Sequence, residues 1–126
     1  MKKFILLFLL SMISMSSIPF SHTEAADIWI DHWNTENIDI YMMEDTLSAT
    51  DNRDSFTVST KMVTNGRLKE IVTWYYGKSP YGMWRYETNT MRRDHTTVVC
   101  VHDKLFEYCM NYLGWPYEIR KHMYYY

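Results

Sequence analysis

The sequence predicts an α+β fold, in which an antiparallel meander sheet of about six strands carries one C-terminal helix packed on it. Three observations support this fold class. Short segments rich in β-branched and aromatic residues alternate with turn residues along most of the chain. The dipeptide Asn65-Gly66 stands between two of them, and an apolar stripe with helical spacing occurs only near the C-terminus. This pattern indicates one mixed domain.

The first 25 residues have the three parts of a secretory signal peptide. Lys2 and Lys3 form a positive start, residues 4–13 form an apolar run, and Thr23 and Ala25 are the small residues of a cleavage site. The apolar run is shorter than the roughly 20 residues of a membrane-spanning helix. We therefore expect cleavage rather than a retained anchor, and a mature protein that is secreted or periplasmic with no membrane span.

The expected mature chain is one small domain. Removing residues 1–25 from the 126 leaves 101, which we divide into an α+β domain over residues 26–115 and a C-terminal tail over residues 116–126. The tail is expected to be a short added strand or a frayed end. The whole chain has 13 basic and 15 acidic side chains, which is not the basic composition of a nucleic-acid-binding domain.

The clearest strand pair is the hairpin around Asn65-Gly66. These two residues tolerate the positive φ of a type I′ turn, so the turn joins strands over residues 55–64 and 67–76. A regular ladder then pairs residues whose numbers sum to 131, with Lys61 opposite Glu70 and Phe56 opposite Tyr75. One face is expected to carry Phe56, Val58, Met62, Ile71 and Tyr75.

Four more strands complete the predicted sheet. They cover residues 28–33, 38–43, 81–88 and 96–101. The acidic segment over residues 44–54 is expected to be a mobile loop, and residues 89–95 a shorter basic loop.

A helix is predicted over residues 104–113. Asp103 precedes it as an N-cap, and Gly114 follows it as a residue suited to the left-handed C′ position. The apolar stripe that faces the core would consist of Leu105, Phe106, Cys109, Tyr112 and Leu113.

Cys100 and Cys109 are the only cysteines, and they are expected to form a disulfide. If the helix folds back along the preceding strand, each lies about 10 Å from the corner, so the sulfurs can meet. Such a bond would stabilise the domain by roughly 2 to 3 kcal/mol. Two buried free thiols are the alternative.

No motif for catalysis, a metal or a cofactor stands out. His32, His95 and His102 each neighbour an Asp, yet no two of them have the spacing of metal ligands. An acidic group that could collect calcium lacks the glycine of a tight calcium loop; it consists of Glu44, Asp45, Asp51 and Asp54. No nucleophile elbow is present either. We therefore predict a protein that is not an enzyme.

Aromatic residues are the most unusual part of the composition. The chain has five Trp and eleven Tyr, and a domain of about 100 residues with one helix on one sheet does not bury that many rings. Tyr is a common strand residue, which is the simpler explanation. The alternative is a binding face for a protein or a sugar, built from Trp33, Tyr41, Trp74 and Tyr76.

The layout of the chain is similar to that of a known family. A Cys stands just before the C-terminal helix and another inside it, and residues 38–41, 56–61 and 84–86 form characteristic runs. Over residues 27–113 the chain resembles the surface-adhesin protein E-like family of small exported bacterial domains. The resemblance implies a six-stranded antiparallel sheet with a helix and non-catalytic attachment to host or extracellular macromolecules. The chain departs from that family because it lacks a lipid-attachment Cys.

The predicted function is that of an exported non-catalytic binding module, either adhesin-like or an envelope interaction protein. Its partner would be an extracellular or envelope protein or glycan, and not a nucleic acid. Two alternatives stay open: a periplasmic inhibitor of a foreign hydrolase such as lysozyme, and a small hydrolase.

Overall fold

A computed structural model describes residues 27–91 and 96–126, and the predicted signal peptide lies outside them. Six antiparallel strands form one meander sheet in the order β1-β2-β3-β4-β5-β6, and the helix α1 packs on it, as predicted. The elements are β1 Asp27–Trp33, β2 Ile38–Ala49, β3 Ser55–Thr64, β4 Arg67–Lys78, β5 Trp84–Thr88, β6 Thr97–Val98, α1 Lys104–Leu113, β7 Glu118–Arg120 and β8 Met123–Tyr125. β7 and β8 form a separate two-stranded sheet.

The hairpin of β3 and β4 has the predicted turn but not the predicted register. Val63 pairs with Leu68, whereas the next residue, Met62, pairs with Glu70, so the ladder passes over Lys69. This β-bulge places one extra residue in β4 and moves all later pairs by one position. Lys61 therefore lies opposite Ile71, and Phe56 lies opposite Tyr76.

The bulge also decides which face of β4 meets the core, because successive side chains of a strand point to opposite faces. Val72 and Tyr76 are buried, while Ile71 and Tyr75 are 45% and 44% exposed. The prediction that Ile71 and Tyr75 lie on the same face as Phe56 is thus wrong. The β3 side of that face is as predicted, since its three members are buried: Phe56, Val58 and Met62.

β2 extends further than predicted. Residues 44–49, expected to lie in a mobile loop, continue the strand, and its register shifts between Met43 and Ser48. At this irregularity the Thr46 hydroxyl donates to the Met43 carbonyl at 2.6 Å and accepts from the Ser59 amide at 2.9 Å. One threonine side chain thus bridges the interrupted ladder.

The helix has the bounds that its capping residues predict. The Asp103 carboxylate accepts from the Phe106 amide at 2.9 Å, and Gly114 has the left-handed φ of 70°. Leu105, Phe106 and Cys109 are buried as expected, but Met110 takes the inward place given to Tyr112. Tyr112 is about half exposed and donates its hydroxyl to Glu44 at 2.9 Å.

The core is a cluster of aromatic rings centred on Phe106. Its ring centroid lies 5.6 Å from that of Tyr76 and 5.4 Å from that of Trp84, both on the sheet. The C-terminal hairpin contributes Tyr124, whose ring is fully buried 4.5 Å from Phe106. The segment after the helix is therefore neither frayed nor peripheral, because it closes one side of the core.

The predicted disulfide is not formed, and both thiols are free. Val99 is fully buried, and the next residue, Cys100, is exposed, as expected for neighbours in an extended segment. Cys109 is fully buried on the inner face of α1. The pleat of the chain thus turns the Cys100 thiol away from the core in which Cys109 lies.

No helix within the described ranges has the length and apolar character needed to cross a membrane.

The two thiols are expected to react very differently with a thiol reagent such as dithionitrobenzoate. Cys100 is exposed, whereas burial raises the pKa of the Cys109 thiol to about 12, and the thiolate is the reactive form. Native protein should release one equivalent of chromophore quickly, and denatured protein two. Cys100→Ser should leave native protein unreactive. Failure of denatured, unreduced wild type to react would show instead that the two sulfurs are joined.

Deletion of Lys69 is expected to be tolerated. The deletion makes the ladder regular and leaves every later β4 side chain on its present face, so it should lower the free energy of unfolding by about 1 kcal/mol or less. Deletion of Thr73 should abolish cooperative unfolding, since it moves Trp74 and Tyr76 to the other face. Thermal unfolding followed by circular dichroism measures both. Equal destabilisation by the two deletions would contradict the assigned bulge.

Candidate binding cleft

A cleft of about 230 Å³ lies where the N-terminus of α1 meets the sheet. Its apolar lining comes from Ile30, Ile40 and Leu105. The aromatic and polar residues around it are Asp31, Trp33, Trp74, Tyr86, His102, Asp103 and Lys104. We call this feature the aromatic cleft.

Two rings on neighbouring strands pack against each other in the aromatic cleft. Trp74 of β4 and Tyr86 of β5 have centroids 5.6 Å apart. The indole N–H of Trp74 donates at 2.9 Å to the hydroxyl of Thr60, a fully buried residue. This hydrogen bond satisfies the polar end of the indole, so the part of the ring that stays exposed is an apolar surface.

Of the three aromatic residues in the cleft, Trp33, at the end of β1, is the most exposed. It is 36% exposed, whereas Trp74 and Tyr86 are partly buried. An exposed ring beside the anchored indole of Trp74 offers a contact surface without a large loss of side-chain entropy, since an aromatic residue has few rotatable bonds.

A charged pair links the helix to β1 at the aromatic cleft. In the pairing of β1 with β2, the buried residue Ile30 has no partner, because the register shifts between Trp29 and Asp31. Lys104 Nζ lies 3.3 Å from Asp31 Oδ1, and the same oxygen accepts from the His32 amide at 2.8 Å. Asp31 is therefore already paired in the structure, and its carboxylate has a defined direction.

Asp103 connects the aromatic cleft to the core. Besides capping α1, its carboxylate accepts from the Tyr76 hydroxyl at 3.2 Å. Its amide donates at 3.2 Å to the Tyr124 hydroxyl, which in turn donates to the Glu107 carboxylate. Burial raises the pKa of Asp103, although its hydrogen bonds with Phe106 and Tyr76 act in the opposite direction.

The charges around the aromatic cleft disfavour an anionic ligand. Two carboxylates, Asp31 and Asp103, line it against one ammonium group, that of Lys104. A phosphate or carboxylate ligand would meet net repulsion, whereas a neutral ligand would meet acceptors, donors and rings.

The structure brings together two of the four aromatic residues predicted to bind. Trp33 and Trp74 line the aromatic cleft. Tyr76 is buried behind them, with its ring stacked 6.3 Å from that of Trp74. Tyr41 lies on the opposite face of the sheet, in register with Trp29 and not with the buried positions of β2. The four rings therefore do not form one surface, because Tyr41 lies on the other face of the sheet and Tyr76, on the same face as Trp74, is buried.

Sequence reasoning missed the contributions of Tyr86, His102 and Lys104 to the cleft. Tyr86 shares a face with Trp84, but its proximity to Trp74 follows from the pairing of β4 with β5. His102 and Lys104 flank the N-cap residue, and a helix start is readable in sequence. The sequence does not show on which side of the sheet that helix start lies.

No group of three His, Cys, Asp or Glu side chains in residues 27–91 and 96–126 is arranged to hold a metal ion. His95, one of the histidines considered above, lies outside the described residues.

A scan against protein-family models, a search of curated proteins and a search of solved structures found no match to this chain.

The stability of the protein should depend on pH in opposite ways at two aspartates. The raised pKa of Asp103 means that the folded state binds its proton more tightly than the unfolded state does. Its contribution to the free energy of unfolding is thus greatest at low pH and falls as pH rises through the folded-state pKa. Asp103→Asn, which keeps an N-cap acceptor, should gain stability relative to wild type between pH 3 and pH 7, as measured by urea unfolding.

Asp39 provides the matched control. Hydrogen bonds from the Trp29 indole at 3.0 Å and from His32 at 2.9 Å lower the pKa of this carboxyl. Its stabilising contribution is present above the unfolded pKa and is lost as pH falls. Asp39→Asn should therefore lose stability relative to wild type over the same rise in pH. A change of the same sign in both variants would contradict the assigned role of Asp103.

Proposed function

We propose that the protein is an exported, non-catalytic binding module that holds a neutral sugar unit of an extracellular or envelope glycan in the aromatic cleft. The observation that carries this proposal is the convergence of Trp33, Trp74 and Tyr86 beside polar groups in one concave site. The apolar face of a sugar ring packs on aromatic rings, while its hydroxyls exchange hydrogen bonds with neighbouring carboxylates and donors. The aromatic cleft offers both kinds of contact.

The size of the cleft favours one sugar unit rather than a whole small-molecule ligand. Sites that enclose drug-sized ligands have volumes of about 300 to 1,000 Å³, and the aromatic cleft has about 230 Å³. A single unit that projects from a longer glycan fits this volume, and the rest of the chain would stay outside.

The hydrogen bonds of the two carboxylates favour binding over catalysis. Asp31 is paired with Lys104, and the Asp103 carboxylate caps α1 and accepts from Tyr76. A glycoside hydrolase of the usual kind needs two carboxyl groups free to act on the scissile bond. In this cleft both carboxyl groups already have structural partners.

Export rests on the sequence of the first 25 residues, whose pattern is that of a signal peptide. The resemblance to the surface-adhesin protein E-like family implies non-catalytic attachment to host or extracellular macromolecules, a class that includes glycans. The proposed function and the predicted compartment therefore agree.

Trp33→Ala is expected to weaken glycan binding by about tenfold or more, equivalent to about 1.4 kcal/mol. The ring is the exposed aromatic contact of the cleft, so its loss should leave the fold intact. Binding would first be located on an array of envelope and matrix glycans and then measured by isothermal titration. Tyr41→Ala is the matched control, since it removes a partly buried ring from the opposite face and should bind as wild type does.

Three results would contradict this function. Loss of glycan binding in Tyr41→Ala but not in Trp33→Ala would place the site on the other face of the sheet. Inhibition of lysozyme without glycan binding would favour the inhibitor alternative. Turnover of a glycan by wild type, abolished in Asp31→Asn, would favour a hydrolase.

A further inference from the structure

The part of β1 that lines the aromatic cleft places an apolar side chain and a carboxylate next to each other. Neighbouring residues of a regular strand point to opposite faces. The register shift beside Ile30 breaks this alternation, and both Ile30 and Asp31 line the cleft. A β-bulge can re-aim a side chain in this way. The irregularity thus sets an apolar surface directly beside a charged acceptor.

The apolar part of the lining offers only a small contact area. It consists of Ile30, Ile40 and Leu105, whose exposed fractions are 7%, 3% and 5%. So little accessible surface suits a methyl group and is too small for the face of a sugar ring. Trp33 is 36% exposed and offers the larger surface on which a ring can lie. The cleft therefore has separate places for a methyl group and for a ring.

Asp31 has one carboxylate oxygen that can accept a hydrogen bond from a ligand. Its Oδ1 accepts from the His32 amide at 2.8 Å and lies 3.3 Å from Lys104 Nζ. Its Oδ2 has no partner among residues 27–91 and 96–126. The side chain is 26% exposed, so the carboxylate is accessible. Because both bonds hold Oδ1, Oδ2 is an acceptor with a fixed direction.

We propose that the sugar unit held in the aromatic cleft is a 2-acetamido sugar such as N-acetylglucosamine, an inference that rests on the proposed function. In a trans amide the N–H and the methyl group lie on the same edge. The N–H donates to Asp31 Oδ2 while the methyl group enters the apolar lining beside Ile30. Asp31 and Trp33 are two residues apart on one face of β1, about 6 to 7 Å along the strand. This spacing lets the sugar ring lie on Trp33 with its amide at Asp31.

The test compares three β-1,4-linked trimers that differ only at the 2-position, those of N-acetylglucosamine, glucosamine and glucose. Isothermal titration should show that the glucose trimer binds about fourfold or more weakly than the N-acetyl trimer, because the methyl group and its burial are lost. The glucosamine trimer keeps the nitrogen but also lacks the methyl group, so it too should bind more weakly than the N-acetyl trimer.

Asp31→Asn should weaken binding of the N-acetyl trimer by about tenfold. The Asn oxygen would stay with the His32 amide and Lys104, which turns the NH₂ group towards the ligand N–H, so that two donors meet. Asp27→Asn is the matched control and should bind as wild type does. It makes the same substitution in the same strand but on the other face of the sheet, where Asp27 pairs with Met43 in the ladder.

Equal affinity for the N-acetyl and glucose trimers would overturn this inference and leave the proposed function standing. Tighter binding of the glucosamine trimer would do the same, because charge and not the methyl group would then select the ligand. Unchanged binding of the N-acetyl trimer by folded Asp31→Asn, or binding of other glycans on the array but of none of the trimers, would also overturn it. If no glycan binds at all, the proposed function itself fails and the inference falls with it.

Discussion

The burial of Phe106 between the sheet and the C-terminal hairpin is the contact on which the rest of the structure depends. Its ring meets Tyr76 and Trp84 on one side and Tyr124 on the other, and its amide is capped by Asp103. A fully buried side chain of this size contributes about 1.5 to 3 kcal/mol, which is large for a domain of about 100 residues. With both thiols free, the aromatic core, and not a covalent bond, holds the helix on the sheet.

The docked helix forms the aromatic cleft where its N-terminus meets the sheet. At the N-terminus, Asp31 and Asp103 give the aromatic cleft a negative character. Because charge of the wrong sign is costly in a partly enclosed site, an anionic ligand would be disfavoured in this cleft by repulsion.

The bulge at Lys69 shows how a local irregularity determines a distant site. The bulge leaves one residue, in an exposed part of β4, without a partner in the ladder. As a consequence, Trp74 and Tyr76 face the helix. The bulge is favourable because it lets Trp74 and Tyr76 pack against elements that come later in the chain. No pattern within the hairpin itself reveals this gain, so a regular register is the natural expectation from the sequence and is wrong here.

The sequence by itself determined the elements whose causes are local. Asp103 and Gly114 set the ends of the helix, Asn65-Gly66 set the hairpin turn, and alternation set the six strands, because capping and turn formation involve only a few neighbouring residues. Only the tertiary structure decided which side chains meet. Trp33 and Trp74 came together while Tyr41 and Cys100 turned away from them and from the core. Those outcomes depend on strand pairing, bulges and the side of the sheet that the helix covers, and these are properties of the whole chain.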